Sequence, residues 1–210
     1  MSEHDSSSIL SLVEARILGA LMEKQLTTPD VYPLTLNSLV TACNQKTSRE
    51  PVMDLSEGDV QQSLYDLQKR ALVKFEYGSR ADKYDQRLTR EYHMNDAEHA
   101  IFCMLLLRGP QTVNELLTRT RRMYEFSGPE ELIALVDKLL NRTTPLMCRL
   151  PSSAGQREDR YMHLLSGEPD MTQIQEPSTP VSDSSASSDE LFARIEELEK
   201  QVAWLMEQKQ

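Results

Sequence analysis

Lysine, arginine and glutamine are the side chains that most often meet nucleic acid. The cations neutralise phosphates, and a glutamine amide pairs with an adenine edge. Lys46 and Arg49 bracket the polar stretch KTSR, Gln61 and Gln62 stand side by side with Lys69 further on, and Arg80, Lys83 and Arg87 surround the segment GSRADK. The run RTRR adds Arg119, Arg121 and Arg122 as the densest basic patch. Read together, these are candidate DNA contacts. The competing reading is a solvated surface, because residues 45–92 hold as many carboxylates as cations and Glu57 and Asp59 precede the glutamines. An arginine-rich helix end also complements the helix dipole without any ligand.

Other chemistries find no support in the residue pattern. GxGxxG, a Walker loop and HExxH are absent, and His4, His93, His99 and His163 show no ligand spacing. His163 falls on a strand candidate, where a hydrogen-bonded structural role is the commoner outcome. Cys43, Cys103 and Cys148 are far apart and sit within apolar patterns, which suits small buried hydrophobes rather than disulfides or a metal centre. The sequence therefore predicts a chain that is not an enzyme and uses no metal or cofactor.

The candidate contacts need elements to hold them. From Leu10, the spacing of Val13, Ile17, Ala20 and Leu21 predicts a first helix ending near Glu23. Leu36, Leu39, Val40 and Cys43 predict a second, with Thr35 as N-cap. Ser56 and Asp59 form a capping box that opens a third, with Val60, Leu64, Leu67 and Ala71 on its buried side. The alternation of Val73, Phe75 and Tyr77 then predicts a strand, GSRADK a turn, and KYDQRL the returning strand. Between the second and third helices runs TACNQKTSREPVMDL, longer than a helix-turn-helix corner and lacking its glycine. Val52, Met53 and Leu55 predict that this corner folds back onto the domain and displays Lys46 and Arg49 beside the third helix.

The order then recurs. Asn95 with Glu98, Thr112 with Glu115 and Ser127 with Glu130 precede three apolar stripes: Ala97, Ile101, Met104 and Leu105; Val113, Leu116 and Leu117; and Leu132, Leu135, Val136 and Leu139. LMCRLP and RYMHLL follow as strands, joined by a loop containing Gly155. The expected class is mainly α with small β-hairpins, an α+β fold of two tandem winged helix-turn-helix domains at residues 8–92 and 93–166. Residues 167–188, rich in Ser, Thr, Pro, Asp and Glu, read as a flexible linker. In residues 189–210, Leu191, Ile195, Leu198, Val202 and Leu205 form a heptad seam, a coiled-coil-like helix too short to be stable alone.

The formal net charge is -10, and the segment 167–210 carries most of it, with three cations against ten carboxylates. The remainder is close to neutral, so net charge neither favours nor excludes DNA. With no membrane-length apolar run and an acidic start, MSEHDSSSIL, the sequence predicts a cytoplasmic protein.

Five stretches resemble the YceH-like family of bacterial proteins: TTPDVYPLTLNSLVTACNQKTSREPVMDLSE, KYDQRL, LLLRGPQTVNEL, RMYEFS and REDRYMHLLSGE. The resemblance covers the chain apart from the linker and implies a tandem winged-helix fold with a terminal heptad helix, without implying one activity. Two departures from the family pattern are Ala81, where a larger aliphatic residue is usual, and an early end to the terminal helix. The expected function is DNA binding, as in a transcriptional regulator, through the first domain's third helix and wing. The alternative is a protein-interaction module or adaptor. A homodimer is expected, through the terminal seam or the apolar first helices, and the terminal helix is also a candidate protein-binding element.

Overall fold

The computed structural model of the chain describes residues 9–78, 81–152 and 158–169. Within these, side-chain caps fix most helix starts. Ser11 opens α1, Leu12–Thr27, with a capping box in which its hydroxyl accepts the Glu14 N–H and the Glu14 carboxylate accepts the Ser11 N–H. The helix runs past Glu23, where the sequence placed its end, to Thr27. A single 3-10 turn, Pro29–Val31, leads to the short strand β1, Leu34–Thr35. Thr35 then caps α2, Leu36–Cys43, as its position predicts. Ser56 and Asp59 box the start of α3, Glu57–Lys69.

Beyond α3, Ala71 is exposed and adopts φ 58, so the chain has left the helix and Ala71 does not continue the buried stripe of Val60, Leu64 and Leu67. β2, Val73–Glu76, and β3, Lys83–Gln86, form the expected hairpin, but Tyr77 lies outside the strand. Gly78 is required there, since a Cβ would overlap the Ala81 carbonyl. β1 pairs with the other edge of β3, giving a three-stranded antiparallel sheet in the order β1-β3-β2. A short α4, Leu88–Glu91, follows and buries Leu88.

The later elements are α5, Asp96–Arg108; α6, Val113–Thr120; α7, Pro129–Leu140; β4, Met147–Leu150; and β5, Arg160–His163. Asn95 and Thr112 make the predicted boxes with Glu98 and Glu115. At α7 the prediction fails in detail. The N-cap is Gly128, and Ser127 instead donates its N–H and hydroxyl to Glu131, at 2.7 and 2.8 Å, not to Glu130. β4 and β5 form a second antiparallel sheet, extended by a bridge between Gln111 and Tyr161. The fold is mainly helical α+β with small antiparallel sheets.

The core lies between α1 and α5. Every residue from Glu14 to Met22 and from Ala97 to Leu107 is buried, and one apolar cluster joins side chains from α1, α2, α3, α5, α6 and α7. The apolar surfaces of α1 and α5, offered in the sequence as one of two dimer interfaces, are packed against each other and against neighbouring helices within the chain. Gly19 permits their close crossing, since a Cβ there would stand 2.9 Å from Leu107 Cγ and 3.1 Å from Leu106 Cβ. His99 Nε2 donates across the same crossing to the Met22 carbonyl at 3.2 Å. None of the described helices is long and apolar enough to cross a membrane.

Candidate functional site

The long corner folds inward around two guanidinium groups. Arg16 projects from α1 and is 1% exposed, donating to the carbonyls of Cys43 at 3.1 Å and Pro51 at 2.6 Å. Arg49 lies inside the corner, donates to the Ala42 and Ser48 carbonyls, and pairs with Glu23 at 2.6 Å. Burial pushes the Glu23 carboxyl up, but the hydrogen bond and charge of Arg49 outweigh it and hold the group below its ordinary range. Asn44 closes the loop by donating to the Leu55 carbonyl and accepting the Leu55 N–H, both at 2.8 Å. The Glu50 N–H then bonds the Leu107 carbonyl at 2.9 Å, tying the corner to the end of α5.

The display of Arg49 beside α3 is thus replaced by a structural role. A loop this polar can be held against an apolar core only if its carbonyls find donors, and Arg16 and Arg49 supply them. Sequence reasoning missed Arg16. Its signal was a cation in the middle of the apolar run VEARILGALME, in phase with the core.

Of the other predicted contacts, Lys46 is exposed on the corner, and Gln61, Gln62 and Lys69 are exposed on α3. Gln62 and Lys69 both bond Asp66, each at 3.1 Å, and the Lys69 ammonium sits 4.0 Å from the Tyr65 ring centroid. Lys83 is half-buried on β3, and Arg87 pairs with Asp85 at 3.0 Å. Arg119 is half-buried, bonded to Gln111 and Glu115. Arg121 and Arg122 are exposed just after α6. Arg80 lies outside the described residues, as do the loop around Gly155, the linker beyond Pro169, and Leu191, Ile195, Leu198, Val202 and Leu205.

The exposed helix faces are acidic. α3 carries Glu57, Asp59 and Asp66 against Lys69, and α7 carries Glu130, Glu131 and Asp137 against Lys138. The hydrogen bonds from Ser56 hold Asp59 ionised well below the ordinary carboxylate range, so capping does not remove its charge. An open groove of about 500 Å³ runs between the start of α5 and α7, lined by Asp96, Ala97, Tyr124, Glu131, Leu135 and Lys138 together with the exposed Ala134. Among the described residues no group of three metal-ligating side chains comes together. The buried cysteines Cys43 and Cys103 have thiols pushed up by burial, the first to about 12, so neither is poised for thiolate chemistry.

The chain matches a family model described as "Protein of unknown function, DUF480" over residues 10–156. It is 50% identical to a UPF0502 protein of Cellvibrio japonicus over 207 residues, 95% of each chain. A UPF0502 protein of Pseudomonas fluorescens (strain Pf0-1) is 47% identical over 198 residues, 94% of this chain and 91% of that one. One from Vibrio atlanticus is 47% identical over 209 residues, covering 96% of this chain and 94% of its own length. The match spans α1 through β4, the elements that carry the corner, the α1–α5 crossing and both acidic helices. The chain belongs to the DUF480, or UPF0502, family of bacterial proteins, the family to which the five sequence stretches pointed.

Proposed function

We propose that the chain is a tandem winged-helix binding module whose helices α3 and α7 engage a protein partner with a basic surface. The order helix, helix, helix, hairpin occurs twice, and the pairing of β1 with β3 supports a winged-helix sheet in the first half. α3 and α7 then hold the place where such domains read DNA. The observation that carries the reading is their charge: each bears three carboxylates and one lysine. Phosphates approach a reading helix at its first turn, where α3 presents Glu57 and Asp59. Three of the expected cations, Arg49, Arg87 and Arg119, are tied to Glu23, Asp85 and Glu115.

DNA binding with a regulatory outcome is the second reading. One feature favours it: Gln61, Gln62 and Lys69 share the exposed side of α3, close in sequence to the hairpin that bears Lys83. A homodimer through the seam at Leu191 to Leu205 is compatible with both.

The full chain titrated with random duplex DNA across a salt series separates them. The proposal expects no saturable binding even at low salt, and crosslinks to protein from a photoreactive residue placed at Gln62. A duplex affinity that falls steeply with salt and collapses in the Lys69→Glu/Lys83→Glu variant would overturn it in favour of DNA.

A further inference from the structure

The groove between α5 and α7 has the chemistry of a receptor for one side-chain cation. Its apolar lining, Ala97, Ala134 and Leu135, suits an aliphatic stem, while Asp96 and Glu131 offer carboxylates for a charged head. Glu131 is fixed in place, accepting the Ser127 N–H and hydroxyl and the Tyr124 phenol at 3.2 Å. Asp96 is exposed at the first turn of α5 and makes no ion pair among the described residues. The cation that lines the groove, Lys138, is 65% exposed along its side chain and stands 3.6 Å from Glu98, a carboxylate whose side chain is 1% exposed and with which Arg142 also pairs. Glu98 thus offsets part of the Lys138 charge, and Asp96 and Glu131 leave the lining net negative.

Tyr124 reports the field inside the groove. Its phenol is held above the ordinary range, chiefly by its hydrogen bond to Glu131 and the charge of that carboxylate, then by partial burial and last by the charge of Asp96. The ring is braced edge-on by Phe126, with centroids 4.7 Å apart, and presents an aromatic surface beside the two carboxylates. Apolar, aromatic and anionic side chains lining one groove together favour a cation on a flexible stem. We infer that the groove between α5 and α7 binds an arginine or lysine side chain of a partner protein.

This inference rests on the protein-partner reading and names the chemistry of the contact. The test uses the full chain carrying 3-fluorotyrosine, with the Tyr124 resonance assigned through Tyr124→Phe. Blocked tripeptides acetyl-Ala-Arg-Ala-amide, acetyl-Ala-Lys-Ala-amide and acetyl-Ala-Glu-Ala-amide are titrated in turn. The Tyr124 resonance is expected to shift saturably with the arginine peptide, the lysine peptide or both, and not with the glutamate peptide. Asp96→Asn weakens the response by about threefold to fivefold, the size expected of one solvent-facing ion pair. Ala134→Arg, at an exposed position, fills the groove with a tethered guanidinium and abolishes the response while its thermal unfolding stays close to that of the parent.

An equal shift with the glutamate peptide would overturn the inference. So would an unchanged arginine titration in folded Ala134→Arg. Such a failure leaves the DNA salt series untouched, so the two ideas fall separately.

Discussion

At the scale of single residues, several of the buried polar groups hold two elements together. Arg49 and Glu23 are the clearest case, with the guanidinium fully buried and the carboxylate nearly so. Arg49→Ala would leave Glu23 with Lys24 alone, at 3.4 Å, and unlace the corner from α2, costing about 3 kcal/mol in urea unfolding. The Arg49→Ala/Glu23→Ala pair should cost less than the sum of the single changes, and simple additivity would contradict direct coupling. His99 and His163 give a second prediction. Burial lowers both to about 4 in the folded protein, whereas unfolded histidine titrates near its ordinary 6.5. Between those values the unfolded chain binds more protons, so stability is full above about pH 6.5 and lost as pH falls toward 4. Each histidine should remove about 2 kcal/mol by pH 5. Urea midpoints measured from pH 7.5 to 5 should fall, and His99→Gln/His163→Leu should flatten that slope. Neither role was legible beforehand: a histidine in an apolar pattern says only that burial is expected.

Among elements, local signals were read well and close approaches were not. The boxes at Ser56, Asn95 and Thr112 are contained within four residues of sequence, so they could be placed without knowing the neighbours. Ala71 and the start of α7 departed from expectation because a left-handed residue and a glycine cap depend on where the chain must go next. The α1–α5 crossing is a tertiary fact of the same kind. Gly19→Ala gains helix propensity of about 1 kcal/mol. Its Cβ would press on Leu107 and Leu106, the first of them 0% exposed, at 2.9 and 3.1 Å. Overpacking costs about 1–3 kcal/mol, so a net loss of stability is expected in urea unfolding. A more stable Gly19→Ala would show that the crossing has slack.

For the whole molecule, the continuous apolar cluster couples the two halves that the sequence divides at residue 92. Separated halves would expose α1 or α5, each buried over most of its length. Residues 9–169 should therefore unfold in one transition, with far-UV and tyrosine signals coincident, and a fragment ending at residue 92 should not fold. Two resolved transitions would show that the halves are independent. By itself the sequence determined the six main helices, the two hairpins and their order, because helical period, strand alternation and capping act within a few residues, but it did not reveal β1, the 3-10 turn or α4. It also identified the family and located acidic side chains at the head of α3. Tertiary structure alone decided which cations remain available. Arg49 reads the same in sequence as Arg121, yet it meets Glu23, carried on α1 and distant in sequence, while Arg121 stays exposed. The groove that joins Asp96 to Glu131 likewise exists only once α5 and α7 are packed. A side chain's charge is written in its residue type, but whether it is spent depends on neighbours distant in sequence, and only folding chooses them.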